Sequence, residues 1–127
     1  MQGKEFRILI IDRNPNVREF LKREFSRGRF SARTAKDAAE GLAVLASGEP
    51  VDLIVLDPDS AGAGWAAFVR RLVRERAGLP VVLHVLGGEE AAVADCGAAA
   101  VVEKSGDPAR LLAVAGGILR ERRPAAV

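Results

Sequence analysis

Five charged side chains stand at the ends of apolar runs. Asp12 closes Ile8-Leu9-Ile10-Ile11 and Arg13 follows it; Asp57 closes Leu53-Ile54-Val55-Leu56, with Asp59 two residues on; Lys104 follows Val101-Val102-Glu103. Brought together, Asp12, Asp57 and Lys104 would make a pocket of two carboxylates and an ammonium, with Arg13 as a second cation beside them. Taken singly, each has a plainer role. An aspartate after a strand can cap a helix, a strand-end lysine can sit in solvent, and an exposed arginine can form an ion pair of little worth. The choice depends on whether the elements that carry them converge.

The runs themselves answer part of this. Phe6–Ile11 and Val51–Leu56 are short, nearly continuous and apolar, as expected of strands buried on both faces of a parallel sheet. Asn14-Pro15 supplies a cap and a first helical residue, and Val17, Phe20, Leu21 and Phe25 recur at helical spacing until Gly28. A more polar strand is predicted over Phe30–Thr34, at a sheet edge. A helix follows from about Ala35 to Ser47, burying Ala39, Leu42, Leu45 and Ala46. Ser60–Gly64 reads as a Gly-rich loop, leading to a helix with Trp65, Phe68, Val69 and Leu72 on one stripe. Pro80–Leu86 is a fourth strand, followed by Gly87-Gly88 and a short helical stretch to Cys96. Ala98–Val102 is a fifth strand ending near Lys104, and Asp107-Pro108 starts a last helix bearing Leu111, Leu112, Ala115, Ile118 and Leu119.

Five repeats of strand then helix with short connections imply a doubly wound α/β domain with a parallel sheet. Ligands in such sheets bind beyond the carboxyl ends of the strands. With strand order 2-1-3-4-5, Asp12, Asp57 and Lys104 meet there.

Composition bounds the rest. At 127 residues, 49% hydrophobic and 28% charged, the chain suits one domain, with a core over about 6–120 and a basic tail at 121–127. No apolar run approaches a membrane span, no secretory signal opens the sequence, and a cytoplasmic location is expected. One cysteine, Cys96, excludes an internal disulfide, and one histidine, His84, excludes a histidine-rich metal centre. The net charge of +2 hides an alternation: residues 1–36 carry +6, 37–66 carry −6, and 110–127 carry +3. The basic helix from Asn16 to Arg27 is interrupted by Glu19 and Glu24 and has no aromatic platform, which argues against direct nucleic-acid binding.

The order and spacing of Ile8–Asp12, Asn14–Leu21, Asp52–Asp57, Pro80-Val81-Val82, Gly97-Ala98 and Val101–Lys104 resemble the response-regulator receiver domain of two-component signalling, from about Arg7 to Leu119. That resemblance implies a flavodoxin-like sandwich and a phosphoacceptor role for Asp57, which takes a phosphoryl group from a kinase histidine. It implies that Asp12, with Asp57 and Asp59, helps hold Mg²⁺ and that Lys104 pairs with phosphoryl oxygens. The implied partners are a sensor histidine kinase or phosphotransfer protein, a downstream protein or effector domain, and a second copy in a homodimer. The chain is then a signalling module, with no enzymatic activity beyond its own phosphorylation and dephosphorylation.

The departures from the family pattern fall on the chemistry. Arg13 stands where the family keeps a second acid, and a guanidinium there should weaken Mg²⁺ binding sharply. Val85 replaces the Ser/Thr whose hydroxyl closes on the phosphoryl group. Val101 replaces the switch aromatic, and Ser105 replaces the proline after the lysine, so a cis peptide is not expected. The segment from Val85 to Gly97 is about one turn shorter than is usual in the family. Arg13 could itself supply the positive charge that a metal normally supplies, with Asp59 as its other partner. A phosphorylation-independent pseudo-receiver that binds a protein partner is the alternative expectation.

Two other motifs carry less. Asp57-Pro58-Asp59 is similar to the paired aspartates of haloacid-dehalogenase-like phosphatases, but those lie on a first strand. Gly62-Ala63-Gly64-Trp65-Ala66-Ala67 matches a dinucleotide fingerprint in letters only, since it follows the third strand after a long loop. His84 and Cys96 read as core residues, His84 with a local hydrogen bond.

Overall fold

The computed structural model describes residues 6–90 and 96–122. Five parallel strands form one sheet: β1 (Phe6–Ile11), β2 (Phe30–Ala35), β3 (Leu53–Leu56), β4 (Val81–Val85) and β5 (Ala100–Glu103). Their order is β2-β1-β3-β4-β5, the doubly wound arrangement expected from the sequence. The helices are α1 (Pro15–Ser26), α2 (Ala38–Ala46), α3 (Trp65–Glu75) and α4 (Ala109–Arg122). Most of the helical stretch expected before Cys96, and the end of the basic tail, lie outside the described residues.

Alternation along each strand divides the core in two. Leu9, Ile11, Ile54, Leu56, Leu83 and Val85 pack with Val44, Leu45, Val69 and Leu72 of α2 and α3. Ile8, Ile10, Leu53, Val55, Val82 and Val102 pack on the other face with Leu21, Phe25, Leu111, Ala115 and Leu119 of α1 and α4. Both faces of β1 and β3 are therefore covered, which is why these strands read as continuous apolar runs.

Local chemistry sets the helix starts. The Asn14 side chain accepts from the N–H groups of Asn16 and Val17, with Pro15 in the first helical position. Asp37 caps α2 by accepting from the Glu40 N–H at 2.9 Å, so that helix begins at Ala38. Ala35 instead ends β2, fully buried. The buried face of α2 is Gly41, Val44 and Leu45, whereas Ala39 and Ala46 are exposed. The expected stripe missed Gly41 because it has no side chain to mark it. Its backbone lies against Ile11, where an added Cβ would come within 2.6 Å of Ile11 Cδ1.

The segment Pro58–Gly64, which contains the expected Gly-rich loop Ser60–Gly64, is 3₁₀-helical up to a kink at Gly62, whose φ of 69° lies in the left-handed region. The strand boundaries at β3, β4 and β5 differ from expectation by one or two residues, and Leu86 lies outside β4, 54% exposed.

Candidate functional site

Asp12 and Asp57 continue the inward alternation of β1 and β3 past the last strand residues, on the face that carries Ile10 and Val55. Both carboxylates are buried, Asp12 at 1% and Asp57 at 4% exposure. Their backbones extend the sheet: Asp12 N–H donates to the Ala35 carbonyl and Asp57 N–H to that of Ile11. Lys104 arrives from β5, its N–H donating to the Val85 carbonyl. Its Nζ lies 3.4 Å from Asp12 Oδ2 and 3.5 Å from Asp57 Oδ1. The three groups expected to converge do so, with the ammonium bridging the two carboxylates.

The remaining contacts divide the oxygens unevenly. Asp12 Oδ1 accepts from the Asn14 N–H at 2.8 Å, whereas Oδ2 is buried with no hydrogen-bond partner and meets Lys104 only as an ion pair. Burial pushes the Asp12 carboxyl above its ordinary range, opposed by the Asn14 hydrogen bond and the Lys104 charge. Asp57 Oδ1 accepts from the Asp59 N–H at 3.3 Å, and Oδ2 accepts from the Ser60 hydroxyl at 2.9 Å.

Arg13 rises over the mouth of this pocket, with its side chain 63% exposed. Its Nη2 donates to Asp59 Oδ2 at 3.2 Å, and its Nε lies 4.0 Å from Asp57 Oδ2. Asp59 is thus turned toward the guanidinium. Among the described residues, no three Asp, Glu, His or Cys side chains gather in a way that could hold a metal ion.

Val85 is buried in the apolar cluster under α3, and Val101 packs against the same cluster. Neither can offer a hydrogen bond to an anion at Asp57. The described peptide bonds are all trans, including the one after Lys104. His84 extends the β4 alternation on the Asp57 side, at the strand position beside it. Its Nδ1 has no hydrogen-bond partner, so the local bond expected for this histidine is not found at that nitrogen. Burial first and the Lys104 charge second lower its pKa from 6.5 to about 4, so the ring is neutral at pH 7.

Ser60 is the site residue that sequence reasoning missed. Inside a Gly-rich stretch it looked like loop, yet the 3₁₀ turn folds it back under Asp57. An Asp-x-x-Ser pattern after a buried strand was the available signal, since Ser hydroxyls bond locally to groups three residues away.

The geometry can be set beside known proteins. The family described as "Response regulator receiver domain" matches residues 8–115. No curated protein sequence matches the chain. Among solved structures, the response regulator TrrA from Thermotoga maritima, in complex with Mg²⁺–BeF, is similar at 24% identity and a TM-score of 0.80, over 90% of this chain and 99% of that one. The receiver domain of the Francisella response regulator 1452 is similar at 16% identity and a TM-score of 0.82, over 94% and 100%. NtrX from Brucella abortus, in complex with ATP, is similar at 29% identity and a TM-score of 0.80, over 91% of this chain but only 27% of NtrX. With the five-stranded order, the acidic strand ends and the lysine from β5 in place, the chain belongs to the response regulator receiver domain family, the signalling domains of two-component systems.

Proposed function

We propose that this receiver accepts a phosphoryl group on Asp57 and that the Arg13 guanidinium supplies much of the positive charge which receivers otherwise draw from Mg²⁺. The observation that carries the reading is the setting of Asp57: a buried carboxylate with Lys104 Nζ at 3.5 Å from one oxygen and Arg13 Nε at 4.0 Å from the other. Phosphoryl transfer asks mainly for an in-line oxygen nucleophile and neutralisation of the developing charge. Two cations beside one carboxylate provide that.

The residues present fit a Mg²⁺ ion poorly. Mg²⁺ demands near-octahedral oxygen ligands at about 2.0–2.1 Å. Here Asp59 is engaged by Arg13, Asp57 Oδ2 by Ser60, and Asp12 Oδ1 by Asn14. No step in the proposed chemistry therefore passes through the metal.

The phosphoryl source would be a sensor histidine kinase or phosphotransfer protein in the cytoplasm, and the reader a downstream protein or effector domain. Among the described residues no helix is long and apolar enough to cross a membrane. A second reading, a pseudo-receiver that binds its partner unphosphorylated, draws support from Val85 and Val101, which put small aliphatic groups in the apolar cluster where the relay uses a hydroxyl and an aromatic ring.

Incubation with phosphoramidate followed by intact-mass measurement separates the two. An adduct of about 80 Da that is absent in Asp57→Ala supports the phosphoacceptor. An unmodified wild-type chain supports the pseudo-receiver.

A further inference from the structure

Ser60 lies three residues beyond the proposed phosphoacceptor, is only 8% exposed, and is held on every side. Its backbone N–H donates to the Asp57 carbonyl at 2.9 Å. Its hydroxyl donates to Asp57 Oδ2 at 2.9 Å and accepts from the Arg13 N–H at 2.8 Å. A serine hydroxyl has one proton to give. With the Arg13 amide fixing its acceptor side, that proton is directed at Oδ2.

The two oxygens of Asp57 are consequently unlike. Oδ2 holds a hydrogen bond of ordinary O–H···O length and faces Arg13. Oδ1 holds a longer one from Asp59 N–H at 3.3 Å and lies on the Lys104 side, 3.5 Å from its Nζ.

We infer that Ser60 is a positioning residue that clamps Asp57 through Oδ2, ties it to the β1–α1 loop carrying Arg13, and leaves Oδ1 as the attacking atom. The inference rests on the phosphoacceptor reading of Asp57 and specifies how that carboxylate is presented. In the reaction, Oδ1 forms a bond to phosphorus as the P–N bond of phosphohistidine or phosphoramidate breaks. The electron pair of that bond stays on nitrogen, which leaves as neutral ammonia from N-protonated phosphoramidate, or as neutral imidazole from phosphohistidine that carries its proton on the other ring nitrogen. The new phosphoryl oxygens then lie beside Lys104, while Ser60 keeps Oδ2, the carbonyl oxygen of the acyl phosphate, in its hydrogen bond.

The test follows phosphoramidate labelling by intact mass in wild type, Ser60→Ala and Ser60→Thr, each first checked for folding by circular dichroism. Ser60→Ala is expected to label about tenfold more slowly at saturating donor, the loss of one positioning hydrogen bond, with the half-saturating donor concentration unchanged. Ser60→Thr, which keeps the hydroxyl, is expected to label within about twofold of wild type. In each case neutral hydroxylamine should discharge the adduct, as it does an acyl phosphate.

If wild type labels but Ser60→Ala matches it, or Thr is as slow as Ala, or the half-saturating concentration moves instead of the rate, the positioning role is wrong and Asp57 remains the acceptor. If wild type does not label, the phosphoacceptor reading fails and the inference falls with it. An adduct that survives hydroxylamine and maps to Ser60 as a phosphoester overturns both.

Discussion

Lys104 Nζ stands 3.4 Å from Asp12 Oδ2, a buried oxygen that has no hydrogen-bond partner. The same ammonium reaches Asp57 Oδ1 at 3.5 Å. One cation therefore compensates two carboxylates taken out of water by the ends of β1 and β3. Removing one partner of a buried ion pair leaves its charge uncompensated, which is far worse than never having the pair.

Lys104→Met should accordingly destabilise the fold by about 2–3 kcal/mol at pH 7, somewhat below the range for fully buried pairs because Lys104 keeps some solvent contact. The cost should shrink in acid, where Asp12, already held above its ordinary pKa by burial, takes up a proton and no longer needs the ammonium. Urea unfolding at pH 7 and pH 4.5 checks this. An equal cost at both would show that the ion pairs are not its source.

His84 gives stability a pH dependence of opposite sign to that of Asp12. Its folded pKa of about 4 lies below the ordinary 6.5, chiefly through burial, so between these values the unfolded chain binds the extra proton. Stability is then full above pH 6.5 and is lost as pH falls toward 4, by about 3 kcal/mol at most. Asp12, with a raised pKa, loses stability as pH rises from 3.8 through its folded value. His84→Leu should flatten the loss between pH 6.5 and 4 without lowering stability at pH 7, since Nδ1 has no hydrogen bond to lose. Urea midpoints across that range for both proteins decide it, and parallel curves would show that His84 is not the titrating group.

Arg13 should matter to ligand charge and hardly at all to folding. Its side chain is 63% exposed, and exposed pairs contribute about 0–1 kcal/mol, so Arg13→Ala should unfold within about 1 kcal/mol of wild type. Arg13→Asp should gain Mg²⁺ affinity by at least about tenfold, having exchanged a competing cation for an oxygen ligand. Magnesium titration followed by Trp65 fluorescence measures this. Ordinary receiver-like affinity in wild type, with no gain in Arg13→Asp, would contradict the role given to Arg13.

Much of this was legible in the sequence because the informative residues sit where periodicity is strongest. The buried strands β1, β3 and β4 announced themselves as apolar runs, and the acids and lysine that close such runs had to meet at one end of a parallel sheet. Arg13 stood out as a base where the resembled family keeps a second acid. The turn after Asp57 was not legible: Pro58–Gly64 has loop-like composition, and only the 3₁₀ fold of its first residues brings Ser60 to Asp57. Gly41 was missed for a related reason, since a glycine buried against Ile11 leaves no mark in a pattern of apolar side chains. The fate of His84 Nδ1 depended on its neighbours across the sheet, which spacing along the chain does not reveal.

The central claim is that Asp57 accepts phosphoryl with Arg13 and Lys104 supplying the charge. Its most direct test is intact-mass measurement after phosphoramidate treatment with excess chelator and, in parallel, with Mg²⁺. The account expects an adduct of about 80 Da in the wild type under both conditions, lost in Asp57→Ala and strongly slowed in Arg13→Ala when the chelator is present. An adduct that forms only with Mg²⁺, or none under either condition, would contradict it.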